Sequence, residues 1–387
     1  MIRQIFVLLW NKKTSNLLLL LEIFLAFLAL FAVYSYVIKN VENYGRPPGF
    51  STENRWLVLI DAKDVDSTKA STMYPLLKKT LASDQNVLEA GLINSVYPFG
   101  GSWSQTGDDD AGFEIRMRYS RADANIGNAL AIEMVGGRWF EEGEELQPVE
   151  SMIVNQEFID LYYPNQNMVD STILFSGKKK IIGIIKDYKY LNEFEEPHSS
   201  GFFYDRPGNM YMSNLILKMK PGTPAAYQEN IIKVVENITG NNRSVIQDLD
   251  EMRIEKSKGS WTAMVFLLAL CGFLCLNIAL GFFGLLWYGI QKRRSEIGLR
   301  RALGAHSTDI TTQLVLEMVI LVSMALFLGV IFAIQVPILK LIPMESEIFY
   351  RAIFWAFCSI LGIVFLCTIY PSMQASEIHP ATALHED

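Results

Sequence analysis

The sequence predicts a membrane protein with four transmembrane α-helices and an α+β extracytoplasmic domain inserted between helices 1 and 2. Three observations support this fold class: four long apolar runs, an acidic and cysteine-free block between the first two, and basic residues in the short segments beside the runs. Half of the 387 residues are apolar, and the mean hydropathy is +0.20. A soluble domain of this size is rarely so apolar on average.

The first apolar run, residues 17–38, is long enough to cross roughly 30 Å of hydrocarbon as a helix. A cleaved signal peptide has a shorter apolar core and a small-residue cleavage site, and Tyr34-Ser-Tyr36 is a poor one. The run is therefore predicted to be a retained anchor. Glu22 lies near its start, and a carboxylate is costly there unless it sits near the headgroups or contacts a partner helix.

Three further runs are predicted to span the membrane, at residues 261–290, 310–336 and 350–370. Basic residues precede the first span and fill the loop between the second and third, which places both on the cytoplasmic side. The predicted cytoplasmic parts are residues 1–16, 291–309 and 371–387, so both termini are cytoplasmic. The predicted extracytoplasmic parts are the domain at 39–260 and the short loop at 337–349.

The block at 39–260 carries a net charge of −8, against −7 for the whole chain, and contains no basic stripe that would bind a nucleic acid. Its size is sufficient for two subdomains. Helices and strands mix without a strict βαβ rhythm, which indicates an α+β domain. Strands are predicted near residues 55–60, 87–96, 114–119, 151–155, 178–186 and 211–220, helices at 74–83, 156–162 and 225–239, and a loop at 100–112.

No catalytic, cofactor-binding or metal-binding motif is evident. The patterns GxxxxGK[ST], HExxH, CxxC and GxSxG are all absent, and the four histidines are scattered. The acidic runs 108–110 and 141–145 lack the spacing of a calcium loop and are predicted to be solvated surface. The four cysteines lie in apolar runs, as small apolar residues do. We therefore expect a chain that is not an enzyme and binds no cofactor itself.

The loop between the second and third spans is the most informative segment. Its pattern predicts a short amphipathic helix that ends at Gly304, followed by a helix capped by Ser307. An ordinary cytoplasmic loop would account for the basic charge but not for this arrangement. Farther along, Glu317 lies within the third span, where a bridge between helices is favoured over a channel role. The candidate coupling residues are Arg294, Glu296, Ile297, Gly298, Arg300, Arg301, Ala302, Gly304 and Ala305.

Residues 294–305, RSEIGLRRALGA, with Ile310 and Glu317 downstream, resemble the signature of FtsX/MacB-type permeases. Residues 370–386 resemble the closing motif of that family, except that His385 stands where the family usually has arginine. Short pieces of the outer block, at 137–140, 153–155, 163–164 and 182–187, follow the order of a MacB-like periplasmic domain. The resemblance therefore extends from the first span to the last residues.

This resemblance implies the permease subunit of an ABC transporter of the mechanotransmission type in a bacterial inner membrane. Such permeases pair with a second copy or a homologous permease, and a separate ABC ATPase dimer holds the ATP and Mg. The loop at 291–309 would dock on that ATPase. Glu296 with Arg300 and Arg301 would supply charged contacts, and Gly298, Ala302 and Gly304 would allow close packing.

Several jobs are open to such a chain. A domain of MacB-like size favours efflux of antimicrobial peptides, toxins or drugs, with a periplasmic adaptor and an outer-membrane duct as further partners. Lipoprotein release and control of a cell-wall hydrolase are alternatives within the family. A membrane receptor without an ATPase belongs to another class, and its basic loop would tolerate charge changes. A channel is disfavoured because the spans lack a regular polar stripe.

Overall fold

The computed structural model describes residues 13–61, 65–100, 104–108, 114–206, 214–304 and 306–376. The chain divides into two compact units. The helical unit consists of the residues up to 41 and from 262 onward, and the sheet unit consists of residues 42–261. Together the elements are, in chain order, α1 (Lys13–Gly45), β1 (Arg55–Leu59), α2 (Ser67–Ala82), β2 (Val87–Ile93), β3 (Ser104–Asp108), β4 (Ile115–Ala122), α3 (Ile126–Leu130), β5 (Met134–Gly137), β6 (Glu150–Asn155), α4 (Gln156–Tyr162), β7 (Thr172–Leu174), β8 (Lys178–Ile185), β9 (Ser200–Tyr204), β10 (Asn214–Met219), α5 (Gln228–Thr239), β11 (Val245–Asp248), α6 (Leu249–Lys292), α7 (Arg294–Ala302), α8 (Ser307–Ala333), α9 (Gln335–Ile338) and α10 (Ser346–Ser376).

Among the described residues, α1, α6, α8 and α10 are long and apolar enough to cross a membrane, and this confirms the four predicted spans. Three of these helices extend well beyond the apolar runs that revealed them. Helix α6 begins at Leu249, before the predicted span at 261–290. Helix α10 continues to Ser376, inside the segment predicted as a tail. Backbone hydrogen bonds continue a helix through polar turns, whereas hydropathy marks only its apolar part.

The helical unit has a continuous apolar core. Phe27 and Leu30 of α1 are fully buried and pack with Phe282, Leu326 and other side chains from α6, α8 and α10. A methyl group added at Gly329 of α8 would come within 2.4 Å of the Phe27 ring. Glycine is therefore needed for the close approach of α1 and α8, as is usual where membrane helices pack.

The second unit is built on one mixed sheet with the strand order β11-β1-β10-β2-β4-β9-β6-β8-β5, with β3 beside β4 and β7 beside β8. The β4–β9 and β6–β8 pairs are parallel. Helices and strands mix as predicted, so the α+β class is confirmed. The only register pair between β2 and β4 is Ile93 with Ala122, which narrows the sheet at that point. The division into two subdomains stays a prediction.

Each side of this narrow point has its own helical cover. Tyr74 and Leu77 of α2 and Ile231 of α5 pack on inward-facing residues of β1, β2 and β10. Beyond β4, Phe158 of α4 packs among residues such as Met152 and Phe203. The helix predicted at 156–162 coincides with α4, and Asn155 caps it by accepting a hydrogen bond from the Phe158 amide at 3.1 Å.

The loop predicted at 100–112 was wrong in part, because Ser104–Asp108 forms strand β3. Its residues pair with β4 in antiparallel register, from Ser104 with Tyr119 to Asp108 with Ile115. Glycine, serine and aspartate disfavour strands locally, and pairing with a neighbouring strand overrides that preference.

Candidate functional site

The candidate site is the segment that joins the second and third spans. Helix α6 ends at Lys292, and α7 runs over Arg294–Ala302. Gly304 has a φ of +96°, the left-handed conformation expected of a glycine that ends a helix. The cap of α8 is His306 rather than the predicted Ser307. The reason is that the carboxylate of Asp309 accepts a hydrogen bond from the His306 amide at 3.1 Å.

One face of α7 is attached to the spans. Ile297 is buried in a small apolar cluster with Ile290 of α6 and Ile310 and Leu314 of α8. Gly298 beside it is also buried. These contacts join α7 to both of the helices that it connects, so the short helix and the ends of the two spans form one packed element.

A chain of polar side chains supports the same junction. Arg300 of α7 donates a hydrogen bond to Gln313 of α8 at 2.8 Å, and Gln313 donates to Glu317 at 3.2 Å. Glu317 also pairs with Arg293 at 3.1 Å. Arg300 in turn pairs with Glu296 one turn earlier in α7. The chain therefore runs from the surface of α7 to the buried carboxylate of Glu317.

Glu317 is 7 % exposed at its side chain, and Arg293 is 19 % exposed. A carboxylate in an apolar helix needs a partner of this kind. Glu317 of α8 thus contacts the turn between α6 and α7 through Arg293, and its predicted bridge to another helix stays a prediction. Arg293 was missed as its partner, since the loop contains several basic residues and the sequence does not show which of them turns inward.

The opposite face of α7 is exposed. It presents Glu296 and Leu299, and Arg300 lies at its edge, between Glu296 and Gln313 of α8. Leu303 follows the helix with 80 % of its surface exposed. Ala302 and Gly304 are exposed as well, whereas Arg294 is half-buried and already engaged within the chain. Arg301 lies in α7 with its side chain outside the described part of the chain, and Ala305 also lies outside it.

Glu22 of α1 differs from Glu317. Its side chain is exposed and lies beside α6, where a methyl group added at Gly281 would come within 3.7 Å of the carboxylate oxygens. In the described part of the chain, no ion pair or hydrogen bond joins Glu22 to another side chain. A bridge between helices within this chain therefore remains a prediction for Glu22.

The described residues contain no group of three or more histidine, cysteine or acidic side chains that could hold a metal ion. The acidic run at 141–145 is not purely solvated surface, because Glu144 is buried. It accepts a hydrogen bond from Ser151 at 2.6 Å and pairs with Arg138 at 2.5 Å. Burial opposes its ionisation, but the Ser151 and Arg138 hydrogen bonds outweigh this and lower the pKa of Glu144.

The outer pieces of the resemblance meet one another in the sheet. Gly137 pairs with Gly183 and has a φ of +72°, a conformation that favours glycine. A methyl group added at Gly137 would come within 2.2 Å of the Ile182 carbonyl oxygen, so no side chain fits there. Asn155 donates to Asp187 at 3.0 Å and accepts from the Ser200 amide at 2.8 Å. These residues hold backbone together, so they specify the fold of the domain.

Residues 262–380 match the family model described as FtsX-like permease C-terminal. The macrolide export ATP-binding/permease protein MacB of Psychrobacter cryohalolentis is 25 % identical over 278 residues, which cover 65 % of this chain and 40 % of that protein. The probable syringafactin export ATP-binding/permease protein SyfD of Pseudomonas syringae is 25 % identical over 191 residues, covering 46 % and 28 %. The chain thus spans less than half the length of these relatives.

Among solved structures, the periplasmic region of MacB from Actinobacillus actinomycetemcomitans aligns with 55 % of this chain and 97 % of its own, at 10 % identity and a TM-score of 0.39. The family model and the relatives confirm the resemblance that the loop and tail motifs predicted. Residues 262–380, which include the last three spans, are thus similar to the C-terminal part of FtsX-like permeases, and 65 % of the chain is similar to a MacB-type export ATP-binding/permease protein.

Proposed function

We propose that the chain is the permease subunit of a MacB-like ABC transporter and that α7 receives movement from a separate ABC ATPase dimer. The observation that carries the proposal is the division of α7 into two faces. One face is fixed to the second and third spans through Ile297 and the polar chain to Glu317. The other face presents Glu296 and Leu299 to a partner, and Arg300 lies at the boundary of the two faces, where it contacts both Glu296 and Gln313. A helix attached in this way can pass a push on its surface to the spans.

The remaining parts of the proposal follow from the same arrangement. ATP and Mg would be held by the ATPase rather than by these 387 residues, in which the pattern GxxxxGK[ST] does not occur. The basic loop would face the cytoplasm of a bacterial cell, with both termini on that side and the sheet unit outside. A second permease, either a copy of this chain or a homologue, would complete the complex. Residues 1–16, 291–309 and 371–387 would lie in the cytoplasm, and residues 39–260 and 337–349 would lie on the other side of the membrane.

The names of the relatives favour export as the task. They are described as export proteins for a macrolide and for syringafactin. We therefore propose efflux of antimicrobial peptides, toxins or drugs, with an adaptor and an outer-membrane duct as further partners. Lipoprotein release, control of a cell-wall hydrolase and a receptor without an ATPase remain the alternatives.

The test is co-purification of the chain with the ABC ATPase encoded beside it, followed by ATP hydrolysis in lipid. Glu296→Lys should weaken the association, by roughly fivefold for a contact at the rim of the interface and more for a buried one. Glu229→Lys is the matched control, because Glu229 and Lys233 form the same type of pair one turn apart on α5 of the sheet unit.

Loss of association in Glu296→Lys alone supports the proposal. If Glu296→Lys behaves as the control does, α7 is not the docking element, and a receptor without an ATPase becomes the better hypothesis. Export is tested separately, by the resistance to a macrolide of cells that carry both subunits. Association without any gain in resistance would direct the search to the lipoprotein and hydrolase alternatives.

A further inference from the structure

A short segment between β8 and β9, residues 189–195, contacts both of the helices by which the sheet unit begins and ends. We name it the bridging segment. All the contacts described below lie within residues 42–261, the sheet unit itself. They involve the C-terminal end of α1 and the first four turns of α6, which are the continuations of the first and second candidate spans.

Lys189 binds the end of α1. Its ammonium group donates hydrogen bonds to the carbonyl oxygens of Asn43 and Arg46, both at 2.6 Å, and to that of Glu193 at 2.8 Å. Lys189 is 4 % exposed. The last carbonyls of a helix have no partner within it, and a cation there is also favoured by the helix dipole. All three donors of the ammonium group are therefore used, two of them on the helix end.

Glu193 binds the beginning of α6. One carboxylate oxygen pairs with Arg253 at 2.8 Å, and the other accepts a hydrogen bond from Ser257 at 3.3 Å. Arg253 and Ser257 are one turn apart on the same face of α6. Both oxygens of Glu193 are thus directed to this helix, while the Glu193 carbonyl is bound by Lys189.

Phe194 joins the two helix ends directly. Its ring lies 5.3 Å from that of Tyr44 in α1 and 5.3 Å from that of Trp261 in α6, and those two rings are also 5.3 Å apart. The Phe194 carbonyl accepts a hydrogen bond from the side-chain Nδ2 of Asn43 at 3.2 Å. Aromatic triads of this kind resist separation of their members because each ring loses contact area with two others.

The same segment is fixed to the sheet. Glu195 accepts hydrogen bonds from the amides of Tyr190 and Leu191, at 2.7 and 2.8 Å, and pairs with Arg118 of β4. Tyr190 is almost fully buried, and its hydroxyl donates to the Gly201 carbonyl of β9 at 3.3 Å. The bridging segment is therefore anchored on the parallel pair β4 and β9.

We infer that Lys189, Glu193 and Phe194 are the positioning residues through which movement of the first two spans enters the sheet unit. This inference rests on the proposed function, since it names the receiving element for the movement that α7 introduces. Each helix end is held by the segment, and the segment is held by the sheet. A change in the distance between the two helix ends must therefore either move β4 and β9 or break these contacts.

The experiment uses the full chain with its ATPase in lipid nanodiscs. Hydrogen exchange is measured by mass spectrometry with and without ATP and vanadate, for wild type and Glu193→Ala. Glu255→Ala is the matched control, because Glu255 forms an exposed pair with Lys258 on the same helix and does not touch the bridging segment. A charge exchange, Glu193→Arg with Arg253→Glu, tests whether restoring the pair restores transmission.

In wild type and Glu255→Ala, nucleotide should change exchange both in α7 and in β4 and β9. In Glu193→Ala, the change in α7 should persist while that in β4 and β9 falls to less than half, and the charge exchange should recover part of it. A wild-type change in β4 and β9 that survives in Glu193→Ala overturns the inference.

Absence of any nucleotide effect on α7 in wild type contradicts the proposed function instead, so the two failures are distinguishable. If Glu193→Ala raises exchange of the whole sheet without nucleotide, it has lost its fold. Phe194→Leu, which keeps an apolar side chain and removes the ring contacts, then decides the question by the same criterion.

Discussion

At the scale of single residues, the molecule places two charged side chains where water is scarce and gives each of them specific partners. Glu317 of α8 is paired with Arg293 and accepts a hydrogen bond from Gln313. Lys189 of the bridging segment is surrounded by carbonyl oxygens. Each group is costly to bury alone, so its partners determine the effect of a substitution.

Removing Arg293 alone should therefore destabilise the helical unit more than removing the pair. Arg293→Met leaves the Glu317 carboxylate buried without its cation, a loss of about 3–5 kcal/mol when a buried pair is broken. Adding Glu317→Gln should recover a large part of this loss, because the remaining amide can bond to Gln313 or water. Thermal unfolding of the two single variants and the double variant in lipid measures the coupling. Additive losses would contradict a direct pair.

Lys189 predicts a pH dependence of stability. Burial is the largest cause of a shift that lowers the pKa of Lys189 to about 8. The positive charge of Arg46 adds to this shift, and the negative charges of Glu193 and Glu195 oppose it. The unfolded chain keeps this proton up to about pH 10.5, so between pH 8 and 10.5 the unfolded state binds more protons than the folded one. The free energy of unfolding contributed by this group therefore rises with pH across that window, by about 3 kcal/mol.

The measurement compares the unfolding midpoints of wild type and Lys189→Met from pH 7.5 to 10.5. Lys189→Met should be the less stable variant throughout, because it removes the hydrogen bonds of the ammonium group to the carbonyls of Asn43, Arg46 and Glu193. The gap between the two proteins should widen as the pH rises. A constant gap would show that Lys189 keeps its ordinary pKa in the folded chain.

At the scale of elements, the two faces of α7 predict two different kinds of variant. Ile297→Ala opens a cavity in the cluster with Ile290, Ile310 and Leu314, and should cost about 2–4 kcal/mol of stability. Leu299→Ala removes a side chain that is 51 % exposed and should change stability by less than about 0.5 kcal/mol. If α7 docks on an ATPase, Leu299→Ala should nevertheless reduce co-purification.

Unfolding in lipid and co-purification with the ATPase, measured on the same two preparations, separate these effects. Stability loss in Leu299→Ala, or unchanged association in both variants, would contradict the division of α7 into an attached and a docking face.

The same scale shows what could be read from the sequence. Helix α4 and strand β8 were predicted almost residue for residue, because their apolar patterns are local and a cap or a row of lysines marks their ends. Strand β3 and the bridging segment were not found. Strand β3 pairs with the next strand, β4, but its glycine, serine and aspartate residues disfavour a strand locally. The partners of the bridging segment are distant along the chain, as with Lys189 and Asn43, which lie 146 residues apart. Periodicity reports local burial and carries no information on such pairs.

In the candidate site, glycine and charge pattern indicated where α7 ends, and amphipathicity indicated that one face is buried. The pattern did not show that Arg293 turns toward Glu317, because Lys292, Arg293 and Arg294 are equivalent by composition. Only the contact of Arg293, in the turn after α6, with Glu317 of α8 distinguishes them. Sequence thus predicted the element and its position, whereas the structure was needed to assign individual charges.

At the scale of the whole molecule, the order of the spans, the sheet unit and α7 along the chain predicts the membrane topology. The sheet unit follows the first candidate span and α7 follows the second, so the sequence order predicts that they lie on opposite sides of a membrane. The basic residues beside α7 predict that its side is the cytoplasm. This arrangement is required for any transfer of movement from an ATPase to a domain outside the cell.

Cysteine labelling tests this topology. Replacing Cys271, Cys275, Cys358 and Cys367 by alanine provides a background without thiols. In that background, Glu142→Cys places an exposed thiol on the sheet unit and Ser295→Cys places one on α7. A membrane-impermeant maleimide applied to intact spheroplasts should label the first variant and not the second, and permeabilisation should allow labelling of both. The reverse pattern would place the sheet unit in the cytoplasm and α7 on the other side of the membrane, away from any cytoplasmic ATPase. It would overturn the proposed function as well as the orientation.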